Sequence, residues 1–76
     1  MNIAVILQNE VRKDPIQRQA LINALQKSKG VLSLDLELAG NGLIFVKLNH
    51  LIDGEAIKLL PGVSEVETMG VMSINQ

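Results

Sequence analysis

The sequence predicts an α+β domain whose elements run β-α-β-β-α-β. Three observations predict it. An unbroken apolar run with β-branched residues opens the chain at 3–7. Residues 31–38 alternate leucine with polar side chains, and a Gly-Asn-Gly turn and a second apolar stretch follow. Two segments with helix start and stop residues lie between these strands and a last one.

Residues 3–7, Ile-Ala-Val-Ile-Leu, are apolar at every position, as in a central strand buried on both faces. Residues 9–13 are polar and read as a loop. A helix is predicted over 15–29. Asp14 is its N-cap, Pro15 stands where a missing N–H costs nothing, and Gln17 completes a capping-box pattern. Ile16, Ala20, Leu21, Ala24 and Leu25 are read as its buried stripe. Lys27 and Lys29 suit the negative end of the helix dipole, and Gly30 ends it.

In residues 31–38, Leu32, Leu34, Leu36 and Leu38 are expected to face the core, with Ser33, Asp35 and Glu37 on the other side. Residues 39–42 make the turn, and 43–48 return as the second strand of a hairpin. Ile44, Val46 and Leu48 then face inward, and Leu43, Phe45 and Lys47 outward. A weaker helix is expected over 49–60, capped by either Asn49 or Asp53, with Ile57, Leu59 and Leu60 as its apolar patch. Pro61-Gly62 stops it, and 63–68 form the last strand. Residues 1–69 are read as one domain and 70–76 as a C-terminal tail.

This order is the ferredoxin-like split β-α-β unit, a four-stranded antiparallel sheet with two helices on one face. The opposite face is left bare. It is expected to carry Leu43 and Phe45, bordered by Asp35, Glu37 and Lys47, with Glu65 and Glu67 from the last strand. An apolar centre with a charged rim is the composition of a docking patch. A second protein or a second copy of the chain could occupy it.

Composition narrows the functional classes. At 76 residues the chain buries little surface, and 47% apolar content is enough for a packed core. There is no cysteine, which removes thiolate metal sites, thiol nucleophiles and disulfides. The net charge of −1 gives no general attraction to nucleic acid or acidic membranes. Charge is uneven along the chain, with a balance of +3 over residues 1–30 and −4 over 31–76. No apolar run is long enough for a membrane span or a signal segment. The chain reads as cytoplasmic as written, and as extracellular if cut from a secreted precursor.

Chemistry-bearing patterns are sparse. His50 is the one histidine and reads as a surface residue, so no metal or cofactor is expected. Asp35 with Glu37, and Glu65 with Glu67, are acids two apart on strands, which reads as solvated sheet rather than an acid–base pair in a cleft. RNA-binding domains of this order stack bases on strand aromatics, and Phe45 is the one aromatic here. Arg12 alone does not make an anion-binding loop. No catalytic residue is assigned.

Residues 55–67, Glu-Ala-Ile-Lys-Leu-Leu-Pro-Gly-Val-Ser-Glu-Val-Glu, resemble the closing helix and strand of subtilisin propeptides and the free proteinase inhibitors related to them. The first strand, the polar loop and the helix ending in lysine and glycine are similar too. The resemblance implies a ferredoxin-like prodomain that inhibits a subtilisin-like serine protease, or assists its folding as an intramolecular chaperone. It implies that the bare sheet face rests on two protease helices, with Glu67 capping a helix N-terminus. It also implies that Ser73, Ile74, Asn75 and Gln76 enter the substrate cleft as a strand, with Gln76 beside the catalytic serine. The alternative is a small homo-oligomeric structural or regulatory module with no protease partner.

Overall fold

The computed structural model describes residues 2–50 and 53–69. Strands β1 (Asn2–Leu7), β2 (Val31–Asp35), β3 (Leu43–Leu48) and β4 (Val63–Met69) form one antiparallel sheet in the order β2-β3-β1-β4. With the helices between them this is the ferredoxin-like βαββαβ arrangement. β1 lies inside the sheet, between β3 and β4, which explains why its sequence is apolar throughout.

The polar stretch expected as a loop is a short helix, α1 (Asn9–Lys13). It has one apolar residue, Val11, so it carries no periodic signal. Val11 is buried and anchors the turn. The Arg12 guanidinium donates twice to Asn9 Oδ1, at 3.2 and 2.6 Å. The Gln8 N–H donates to the Gly62 carbonyl at 2.8 Å and ties this corner to the start of β4. Gly62 has φ +95°, and a Cβ there would stand 2.9 Å from a Val11 methyl. Both the backbone and the space require glycine.

Helix α2 (Pro15–Lys27) starts as predicted. Asp14 Oδ1 accepts the Ile16 N–H at 2.9 Å, and Asp14 Oδ2 accepts the Gln17 side-chain amide at 3.0 Å. Leu21 and Leu25 of the expected stripe are buried, and Ile22 joins them. Ile16 is 81% exposed. At about 100° per residue, Ile16 lies roughly 180° around the helix from Leu25, so both cannot face the sheet. Ala20 is exposed for the same reason, and Ile22 takes its place. The helix closes two residues earlier than expected, where Ser28 Oγ donates to the Ala24 carbonyl at 2.8 Å.

The leucine alternation of β2 misleads. Val31 pairs with Leu48 and Ser33 with Lys47, so Leu32 is an extra residue in a β-bulge. The bulge shifts the side-chain parity. Val31 and Leu34 pack on the core, while Leu32 is 59% exposed. The strand ends at Asp35, and Leu36 and Leu38 lie in the connection, partly exposed. That connection closes with a 3-10 turn at Ala39–Asn41, where Ala39 is buried.

Strand β3 is as predicted, with Ile44, Val46 and Leu48 buried. Helix α3 (Asp53–Lys58) is shorter than the expected 49–60. Ile57 is buried and Leu60 packs against the core. Leu59 is 84% exposed, being about 200° around a helix from Ile57. β4 has a second bulge, at Ser64, because Leu7 pairs with Val63 and Ile6 with Glu65.

One hydrophobic cluster joins Ile3, Val5 and Leu7 of β1 to Ile44, Val46 and Leu48 of β3. The same cluster takes in Val11, Leu21, Ile22, Leu25 and Ile57 from the helices. Helices α1, α2 and α3 of the described residues therefore lie on one face of the sheet.

Candidate functional site

The other face is defined by register. Asn2, Ala4 and Ile6 alternate with the core residues of β1 and point away from the helices. Lys47, Phe45 and Leu43 stand opposite them on β3, and Met69, Glu67 and Glu65 on β4. On β2, Ser33 stands opposite Lys47 and Asp35 opposite Phe45. The central row across the sheet is therefore Asp35, Phe45, Ala4, Glu67. A second row is Leu43, Ile6, Glu65.

The middle of this face is apolar and its flanks are acidic. Leu43, Phe45 and Ile6 are half-buried by their strand neighbours. Ala4, a methyl group between Phe45 and Glu67, is only 6% exposed. Asp35, Glu65 and Glu67 are exposed, and Lys47 is the one cation among these facing residues. Among the described residues no helix lies over this face.

The expected residues are placed as follows. Asp35, Leu43, Phe45, Glu65 and Glu67 all share the outer face. Glu37 does not. It lies past the end of β2, in the connection, where its N–H donates to Asp35 Oδ1 at 3.0 Å. That turn ends the strand two residues short of Glu37 and removes it from the sheet. Ser73, Ile74, Asn75 and Gln76 lie outside the described residues. The sequence reading missed Ala4 and Ile6, which hold the centre of the face. The signal was partial: a strand apolar at every position must have an apolar side away from the helices, but its pattern does not say which residues form it.

The geometry limits the chemistry. Asp35 and Glu67 sit on opposite edges, three strand spacings or about 14 Å apart. Two carboxyls acting on one glycosidic bond stand about 5–9.5 Å apart. Glu65 and Glu67 are exposed on an open strand, not set in a cleft. Among the described residues no polar or charged side chain is buried, and no group of three His, Cys, Asp or Glu is placed to hold a metal. His50 is exposed at the end of β3. A hollow bounded by Asn2, Ser33, Asp35, Phe45 and Lys47 has a volume of about 230 Å³. Pockets for drug-sized ligands run about 300–1,000 Å³. The face suits a large, flat partner better than a small molecule.

In comparison with known proteins, the chain matches no family model, no curated protein and no solved structure.

Proposed function

We propose that this chain is a protein-docking domain whose outer sheet face rests on a subtilisin-like serine protease, as a propeptide-like inhibitor, folding chaperone or both. The observation that carries the reading is the row Asp35, Phe45, Ala4, Glu67, apolar at its centre and carboxylate at each end, on a face the helices leave bare. Aromatic and aliphatic side chains supply the desolvated centre of a protein interface, and the charged rim sets register and partner. Glu65 and Glu67 lie on an edge strand, so they can reach helix N-termini, where unpaired N–H groups favour negative charge.

Size supports a second contact. Four strands about 4.8 Å apart and about 20 Å long give a face of roughly 400 Å² in projection. A stable interface of standard size takes about 800 Å² from each partner. In the proposed complex Ser73, Ile74, Asn75 and Gln76 supply the remainder by pairing as a strand in the substrate cleft. A domain that binds only the native protease stabilises it by mass action, which is the chaperone function in thermodynamic terms.

The test is residual subtilisin activity with the purified chain added. Inhibition at micromolar concentration or below is expected, weakened by deleting residues 73–76 and by Glu67→Lys. Full protease activity with about 50 µM of the chain present, a concentration that saturates any micromolar complex, would refute the protease reading.

A further inference from the structure

The two edges of the sheet are built differently. β2 is broken by its bulge at Leu32. β4 is regular over residues 65–69, paired one for one with β1 from Ile6 back to Asn2. It is an edge strand, so alternate N–H and C=O groups along this run point away from the sheet. Among the described residues no strand pairs with that side.

The side chains of this edge divide by face. Glu65 and Glu67 stand on the outer side, both exposed, and neither has a hydrogen bond or ion pair with another described residue. Lys47, the one cation facing the same way, is on β3, with β1 between. On the helix side, half-buried Val66 and exposed Thr68 border a hollow of about 150 Å³, whose other walls are Ile3, Gly54, Glu55 and Lys58. Pockets for drug-sized ligands start at about 300 Å³, so this one has the scale of a single side chain.

A strand laid along β4 alternates its own side chains in the same way. Two of them come beside Glu65 and Glu67, and the one between, opposite Val66, turns to the side of the hollow. A second copy of β4 does not fit, because in either direction it sets Glu65 and Glu67 against their own kind. We infer that the β4 edge takes an extended segment of another protein by strand addition, with the pattern cation, apolar residue, cation. The backbone ladder holds the segment, the carboxylates select its two cations, and the hollow receives the side chain between them. The inference goes beyond the protease reading and does not depend on it, since a free peptide is enough to test it.

The experiment is a titration of the ¹⁵N-labelled full chain with the peptide acetyl-Thr-Lys-Val-Lys-Thr-amide, followed by amide chemical shifts. Shifts centred on residues 65–68 and on Glu55 are expected, with a Kd between about 10 µM and 1 mM, since the contact is small. The same peptide with glutamate for both lysines is expected not to bind. Glu65→Lys combined with Glu67→Lys is expected to weaken the basic peptide at least about tenfold and to admit the acidic one. Circular dichroism checks that these exposed substitutions leave the fold intact. No shift with the basic peptide at about 5 mM overturns the inference. So do shifts centred on Phe45 or on β2, and so does a double variant that binds the basic peptide as the parent does. Binding seen only after residues 70–76 are deleted overturns it too, because the edge would then belong to the chain's own tail.

Discussion

Asp14 shows how much one residue of this chain decides. It is the N-cap of α2, and its carboxylate accepts the Ile16 N–H and the Gln17 amide. These bonds, that of the Gln17 side chain foremost, hold its pKa below the ordinary carboxylate value. A carboxyl with a depressed folded-state pKa adds stability above its unfolded-state value and loses it as pH falls through the folded-state value. The expected outcome is that Asp14→Ala lowers the melting temperature at neutral pH, and that the gap from the parent chain closes on acidification below pH 4. Melting curves across that range check it. A gap constant with pH would mean that charge has no part in the cap. This cap was legible in the sequence because Asp-Pro-x-Gln is local chemistry. The exposure of Ile16 was legible too, by counting angles around the helix, and the apolar identity of the residue hid it.

The faces of β2 and β4 were hard to read for a related reason. A strand's two faces follow a period of two only while the ladder is regular, and β2 and β4 each contain a bulge. In β2 the extra residue, Leu32, moves the inward set from the even positions to Val31 and Leu34. In β4 the extra Ser64 leaves Val63 and Val66 both on the core side. Neither bulge has a glycine to mark it, so four evenly spaced leucines read as one buried row. β3, with a regular ladder against β1, was read correctly at all six positions. The short helix α1 was illegible because a single buried valine makes no pattern. The bulge in β2 separates two chemically identical residues. Leu34→Ala is expected to cost about 1–3 kcal/mol, as a partly buried leucine lost from the core. Leu32→Ala is expected to stay within about 0.5 kcal/mol, as an exposed substitution. Urea denaturation measures both. Equal costs would place Leu32 in the core and remove the bulge.

At the scale of the whole molecule, one sheet serves two environments. Its inner face builds the core with α1, α2 and α3, and its outer face carries an apolar centre between carboxylates. Asp35, Leu43, Phe45, Glu65 and Glu67 could be placed on the outer face from sequence, because hairpin alternation and a last strand suffice for that. Ala4 and Ile6 could not be ranked, because a doubly apolar strand gives no sign of which residues face the helices. The two faces should differ in what they contribute to folding. A chain of this length has a total stability of about 4–11 kcal/mol. Leu25, with no exposed surface, joins α2 to the sheet. Leu25→Ala is expected to remove about 3–5 kcal/mol and leave the domain marginal or unfolded at ambient temperature. Phe45 is half-buried on the outer face, in register with Ala4 and Asp35, and Phe45→Ala is expected to cost about 1 kcal/mol. Urea midpoints of the two variants, compared with binding of the Phe45 variant to subtilisin, separate folding from docking. A well-folded Phe45→Ala chain that no longer inhibits places the aromatic ring in the interface. If Phe45→Ala unfolds the domain as readily as Leu25→Ala, the outer face is a second core wall, and the docking surface must be sought at the edges of the sheet instead.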